Sequence, residues 1–209
     1  MVLAATLTCA PPSAFPQVKN HAQAVTGLKQ AQPEARAEAL AWLARNGRMA
    51  DQPLLLGRLR DDDPRVREIA EQALWLLWSR SGDAVADERL AEGIEAMRSR
   101  RFDAAIAAFG EVIRRRPGFA EGWNKRATAY FLAGDYRRSL ADCDEVMKLN
   151  PQHFGALSGY GQIYFQLEQY EKAIAWWRRA LAVNPNMEGA AAGIREAQRR
   201  LEEQRAHSA

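Results

Sequence analysis

The chain has 209 residues, of which 47% are hydrophobic, and this content excludes an intrinsically disordered protein. Two cysteines and three histidines are too few for a disulfide scaffold or a multi-cysteine zinc site. The formal charge of +3 is too small to indicate nucleic-acid binding by itself, and no apolar run is long enough for a membrane span. Because alanine is abundant and β-branched residues are few, the composition predicts an all-α protein.

The first segment, residues 1–32, is predicted to be a flexible N-terminus or the remnant of a targeting segment. Residues 1–18 carry no charge, and the mildly apolar stretch 2–10 is followed by Pro11-Pro12. This pattern is typical either of a secretory or transit segment or of a disordered terminus. The first alternative implies a periplasmic or otherwise exported protein, which we expect, and the second is compatible with the cytoplasm.

Residues 33–83 are predicted to be helical. Pro33 suits a first helical turn, and Asp63 before Pro64 suits an N-cap, so the acidic run there is not expected to bind calcium. The short apolar helix, the acidic turn and the amphipathic helix that follows resemble a single HEAT repeat. Trp75 and Trp78 lie partly off the apolar stripe, and we expect them to join this unit to the helices at 86–119.

The C-terminal half repeats with a period of 34 residues. Segments 86–119, 120–153 and 154–187 align end to end without a gap. Each has a proline at its thirty-second position, an aromatic residue at its seventeenth and a small residue at its eighth. The pattern predicts helix hairpins that must stack, because a lone hairpin cannot bury its apolar face. The aligned residues are Pro117, Pro151 and Pro185, then Phe102, Tyr136 and Tyr170, then Gly93, Ala127 and Gly161.

These segments resemble the tetratricopeptide repeat family. The second repeat matches through Trp123, Ala127, Tyr130, Gly134-Asp135-Tyr136 and Pro151. The resemblance implies a right-handed superhelical solenoid of antiparallel helix hairpins over residues 84–206. Residues 188–206 are predicted to form the capping helix that solvates the open end of the array.

The chemical motifs do not indicate catalysis. Gly159-Tyr160-Gly161 lacks the third glycine and the preceding strand of a nucleotide loop, which favours a packing role. Cys143 is expected to be a buried, inert thiol, and His153 has no Cys or His at ligand spacing, which favours a loop or interface role. We therefore expect no catalytic residue, cofactor, metal or small-molecule substrate, and a protein or peptide as the partner.

The family resemblance implies that the first helix of each repeat lines a concave groove. We expect a non-catalytic scaffold for protein–protein interaction that binds a peptide or a helix of its partner in this groove. Large apolar residues at the twelfth repeat position indicate a contact surface, although the N-terminal helices or the chain's own tail could cover it instead. A clamp for a terminal carboxylate is not expected, because Leu90, Ile94, Lys125, Gly155 and Gly159 stand at its positions. The predicted groove residues are Leu90, Ile94, Met97, Asn124, Thr128, Phe131, Ser158, Gln162 and Phe165.

A nucleic-acid-binding helical repeat is the alternative function. Its basis is a set of arginines on the predicted second helices, and such binding would depend steeply on salt. The same side chains are also typical of solvated helix faces and helix ends. The arginines are Arg114, Arg115, Arg116, Arg137, Arg138, Arg178 and Arg179.

Overall fold

A computed structural model describes residues 17–208, and this part of the chain folds into eleven α-helices without a β-strand. Residues 1–16 of the predicted N-terminal segment 1–32 lie outside the described residues. Five helices precede or begin the repeats: α1 (His21–Gly27), α2 (Pro33–Asn46), α3 (Gln52–Arg58), α4 (Pro64–Trp78) and α5 (Ala84–Arg98). The others are α6 (Phe102–Arg115), α7 (Ala120–Leu132), α8 (Tyr136–Leu149), α9 (Phe154–Gln166), α10 (Tyr170–Val183) and α11 (Glu188–Ser208).

The first helix corrects the prediction that residues 1–32 are flexible throughout. The Asn20 side chain accepts a hydrogen bond from the Gln23 amide and so caps α1. Ala24 and Leu28 are buried in the same core as α2 and α4. A helix of seven residues is not stable alone in water, so this tertiary burial holds α1 in place.

The helices α2, α3 and α4 form a unit around a buried carboxylate. Asp61 receives two hydrogen bonds from the Arg36 guanidinium, at 2.8 and 2.6 Å. Burial alone would raise the pKa of Asp61, but the bonds and charge of Arg36 outweigh it and hold the pKa below its usual value. The predicted cap is confirmed, since Asp63 accepts from the backbone amides of Arg65 and Val66.

Each repeat forms a hairpin of two helices, and the turn between them has the same backbone conformation three times. Arg100, Gly134 and Glu168 all have positive φ, at 57°, 80° and 56°. Gly134 follows directly on the end of α7, where a glycine tolerates the positive φ that ends the helix. Arg100 and Glu168 adopt the same left-handed conformation with a side chain, which is uncommon for residues other than glycine. The geometry of the hairpin therefore outweighs the preference of these two residues for a negative φ.

Small residues at the eighth repeat position let the two helices of a hairpin approach closely. A Cβ atom added to Gly93 would lie 2.4 Å from the Phe109 ring, and one added to Gly161 would lie 2.5 Å from the Trp177 ring. The aromatic residue of the second helix thus packs directly on the backbone of the first. In each of the first and third repeats, a glycine on the first helix and a large ring on the second form a complementary pair.

The expectation that Trp75 and Trp78 join the N-terminal unit to the first hairpin is wrong. Trp78 stacks on His153, with ring centroids 4.3 Å apart, and both indoles contact the Phe154 ring. Trp75 also lies against Gly155 at the start of α9. The N-terminal helices are therefore docked at the junction of the second and third repeats.

Polar contacts extend this docking along the loops that connect the repeats. Gln52 and Asn150 exchange two hydrogen bonds of 3.1 Å, and the Asn184 side chain donates to Glu71 at 3.0 Å. Asn150 and Asn184 occupy the same position in consecutive repeats and both are buried. The docked surface therefore follows the repeat geometry for two successive loops.

Candidate partner-binding groove

The concave side of the array is formed by the first helices of the repeats. Helix α7 contacts both α5 and α9, and α9 also contacts α11. The second helices α6, α8 and α10 are not in comparable contact with one another. Because the first helices lie closer together, their outer faces line the inner curve, which we call the groove.

The predicted groove residues differ in how exposed they are. Those at the fifth repeat position, Leu90, Asn124 and Ser158, are each more than nine-tenths buried. Phe131 and Phe165 are half-buried because they pack against Tyr136 and Tyr170 of their own repeats. Ile94 and Met97 are half-buried in the core of the first repeat, whereas Thr128 and Gln162 are exposed.

One end of the groove is covered by helix α4. The Trp75 ring lies so close to Gly155 that a Cβ atom there would be 2.4 Å from the indole. Lys125 Nζ lies 5.7 Å from the centre of the same ring. Gly155 and Lys125 both stand at positions of the carboxylate clamp that the family resemblance implies. The N-terminal helices therefore occupy this end, and Thr128 and Gln162 mark the part that stays open.

A buried polar cluster lies beneath the covered end. Glu121 is fully buried and receives hydrogen bonds from His153 Nε2 at 3.0 Å and Asn124 Nδ2 at 2.9 Å, with Lys125 Nζ 3.1 Å away. The backbone amide of Ala156 donates to His153 Nδ1, so Nδ1 is an acceptor and Nε2 carries the proton. His153 thus caps α9 and binds Glu121 at the same time.

The charge on Glu121 is set by opposing effects. Burial alone would raise the pKa of Glu121, but the hydrogen bond from His153 and the charge of Lys125 outweigh it and lower the pKa. The carboxylate is therefore ionised in the fold. His153 and Asn124 both donate to Oε2, whereas Oε1 pairs with the charge of Lys125 and accepts no hydrogen bond among the described residues. Because Trp78 stacks on His153, this cluster also supports the docking of α4.

A small cavity opens into the groove between α7 and α9, and we call it the α7–α9 pocket. Its volume is about 70 Å³, and none of its lining residues is charged. Gly159 forms part of its wall with no side chain, and a Cβ atom there would meet only Cys143 Sγ, at 3.8 Å. The lining residues are Asn124, Ala127, Thr128, Phe131, Ser139, Cys143, Gly155, Gly159, Gln162 and Ile163.

The pocket exists because the second repeat departs from the packing of its neighbours. In the first and third repeats, Phe109 and Trp177 fill the space between the paired helices. The second repeat has Ala127 and Cys143 at the corresponding positions, and a methyl group and a thiol fill less space than a ring. Burial raises the pKa of Cys143 to about 12, so the thiol is neutral and behaves as a small apolar group, as predicted.

The arginines behind the nucleic-acid alternative are distributed over several helices, and some have partners within the chain. Arg115 pairs with Asp83 at 2.9 Å, and Arg138 pairs with Asp135 at 2.5 Å. Arg179 lies over the Trp176 ring, with its guanidinium carbon 4.1 Å from the ring centre. These contacts give the side chains structural roles that do not require a nucleic acid.

Across residues 17–208, no group of three or more His, Cys, Asp or Glu side chains is placed to hold a metal ion. Within the same range, no helix is both long enough and apolar enough to cross a bilayer. The described molecule is thus a helical-hairpin solenoid whose distinguishing feature is a partly covered groove.

Comparison with known proteins identifies the family of the repeats. Two family models, both described as tetratricopeptide repeat, match residues 90–147 and 130–197, which together cover about half of the chain. The chain belongs to the tetratricopeptide repeat family, whose domains are protein-interaction modules and not enzymes. The HEAT likeness of residues 33–83 stays a prediction.

Three similar proteins illustrate the relationship. A TPR repeat-containing protein of Rhizobium etli is 36% identical over 104 residues, which cover 50% of this chain and 51% of the relative. The chain thus spans about half the length of this curated relative. The first TPR domain of human RPAP3 has a TM-score of 0.56 at 24% identity, covering 58% of this chain and 96% of that one. The first TPR of Spaghetti (RPAP3), bound to an HSP90 peptide, has a TM-score of 0.55 at 24% identity, covering 57% and 94%.

Two features of the site were not predicted. The pairing of Glu121 with His153 joins residues 32 positions apart, and the contact of Trp75 with Gly155 joins two different parts of the chain. The available signal was a carboxylate at the second repeat position and a histidine at the thirty-fourth, both within an otherwise apolar pattern.

Proposed function

We propose that the chain is a non-catalytic scaffold that binds a peptide segment of another protein in the open part of its groove. The observation that carries the proposal is the exposure of Thr128 and Gln162 beside the α7–α9 pocket, while the other predicted groove residues are buried or half-buried. Concave surfaces of helical repeats are suited to such binding because they present an extended face.

The peptide is not expected to be held by a terminal carboxylate. The TPR of Spaghetti binds an HSP90 peptide, and its fold is shared by this chain. Here Lys125 is paired with the buried Glu121, and Gly155 is covered by Trp75. We therefore infer a segment that is recognised through its side chains and backbone and not through a free carboxyl terminus.

The experiment is selection of binding peptides from a displayed library of random sequences on the full chain. Selected peptides should bind the wild type and lose at least about tenfold in affinity to a Thr128→Glu/Gln162→Glu variant, because the new carboxylates would lie in the contact surface. The matched control is Ala141→Glu/Ala175→Glu, which adds two carboxylates at exposed positions on the second helices of the same repeats.

The outcomes separate groove binding from other modes. Retained binding by the control and lost binding by the groove variant support the proposal. Equal binding by both variants, or selection of no peptide that depends on Thr128 and Gln162, would overturn it. Displacement of the selected peptides by single-stranded DNA at low salt, lost as the salt concentration rises, would favour the nucleic-acid alternative.

A further inference from the structure

We propose that the α7–α9 pocket takes one uncharged apolar side chain, of the size of leucine or methionine, from an extended segment of the partner. This inference rests on the proposed function, and it names the chemistry that the groove would select.

The size of the pocket limits the side chain. Its volume of about 70 Å³ is roughly half the ~150 Å³ of a cavity that accepts benzene. A four-carbon branched group or a thioether therefore fits better than an indole. Ile163, Ala127 and Phe131 contribute apolar surface to its lining.

The lining also excludes charge. A carboxylate or ammonium group in the pocket would lose its hydration without gaining an opposite charge, because no lining residue is charged. The neutral thiol of Cys143 adds a polarisable apolar contact at the base. An aliphatic or thioether side chain is the occupant that these surfaces favour.

The chain itself contains a contact of the same kind next to the pocket. Gly155 and Gly159 lie one turn apart on the same face of α9 and leave its backbone bare. Trp75 already covers Gly155, as the 2.4 Å approach shows. The pocket at Gly159 is the continuation of this intramolecular interface, and a second apolar side chain placed there would extend it.

The rim of the pocket supports an extended backbone. The Asn124 side chain donates to Glu121 through Nδ2, so among the described residues its carbonyl oxygen accepts no hydrogen bond. Gln162 is exposed at the opposite rim. The exposed amide group of Gln162 can pair with a peptide N–H or C=O, as an extended segment requires.

The test uses the peptides selected on the full chain and two ways of filling the pocket. Gly159→Leu fills it from the groove, and its backbone is helical with no neighbour nearer than Cys143 Sγ. Ala127→Gly/Cys143→Phe fills it from below by installing the pair found in the first repeat. Gly57→Leu is the matched control, because Gly57 lies in α3 with no neighbour within 4 Å.

The measurement is a double-mutant cycle of peptide affinity. Selected peptides should share one apolar position, and alanine at that position should weaken binding to the wild type by about tenfold or more. Gly159→Leu should weaken the parent peptide by a similar factor and leave the alanine peptide unchanged. Gly57→Leu should bind both peptides as the wild type does.

The results separate the pocket proposal from the proposed function. If peptides need Thr128 and Gln162 but tolerate both pocket-filling variants, the pocket proposal falls and the proposed function stands. If no groove-dependent peptide is selected, both fall. Thermal unfolding of each variant shows whether it folds. If one filling variant unfolds, the other still decides the outcome.

Discussion

Replacing His153 with alanine should destabilise the protein more than any single contact of that residue suggests. The imidazole donates to the buried carboxylate of Glu121, accepts the Ala156 amide at the start of α9 and stacks on Trp78. The side chain is fully buried, so water cannot replace these partners without entering the core. One substitution therefore removes a charged hydrogen bond, a helix cap and an aromatic contact.

The magnitude follows from the three contacts. Loss of a hydrogen bond to a buried charge costs about 2 kcal/mol, moderated here because Lys125 and Asn124 still bind Glu121. Loss of the cap costs about 1 kcal/mol, and loss of the stacked ring costs about another 1 kcal/mol. The expected fall in the free energy of unfolding is about 4 kcal/mol, or roughly 10 °C in Tm for a chain of this size.

The assay is urea unfolding followed by tryptophan fluorescence and by far-UV circular dichroism. Because Trp78 lies on the His153 ring, the fluorescence transition should shift to lower urea at least as far as the dichroism. His21→Ala is the control, since the His21 ring is half-exposed and pairs with Asp51, and its cost should stay below about 1 kcal/mol. Equal unfolding free energies for the two variants would refute the role assigned to the buried cluster.

Two further predictions concern packing and acid stability. Gly161→Ala should lower the free energy of unfolding by about 1–2 kcal/mol, because its methyl group would lie 2.5 Å from the buried Trp177 ring. Gly159→Ala should raise the free energy of unfolding by up to about 1 kcal/mol through helix propensity. Urea midpoints of the two variants that move in the same direction would contradict this prediction. Burial alone would raise the pKa of Asp61, but the hydrogen bonds and charge of Arg36 lower it. The ionised carboxylate therefore stabilises the fold above pH about 4, and this contribution is lost as the pH falls through the depressed pKa. Unfolding free energies measured at a series of pH values should decline less below pH about 4 in Asp61→Asn than in the wild type, and parallel declines would contradict the assignment.

The repeat architecture could be predicted because its signals are local and recur. The 34-residue period, Gly134 at a positive φ and Asp63 at a helix start each depend on neighbouring residues. Helix α1 was missed because seven residues give too little periodicity, and its stability comes from the burial of Ala24 and Leu28 by distant helices. Local pattern thus predicts elements well where it is repeated and poorly where tertiary contacts decide.

The groove residues show the same contrast between what the sequence predicts and what tertiary contacts decide. Family likeness indicated which helix faces line it, but the exposure of each residue depends on how neighbouring parts pack. The burial of Asn124 follows from its bond to Glu121, and the covering of Gly155 follows from the docking of Trp75. Neither contact has a periodic signal, because each joins residues that come together only in the complete fold.

The docking of Trp75 also explains why an extended segment suits the groove better than a helix. An α-helix with its side chains is about 10–12 Å wide, so a helix lying along α9 would need the space above both Gly155 and Gly159. Trp75 already occupies the first of these positions. An extended strand can place one side chain at Gly159 and leave Gly155 covered. In the proposed complex, the bare face of α9 thus has two uses: Gly155 contacts Trp75 of the N-terminal helices, and Gly159 is left for the proposed partner.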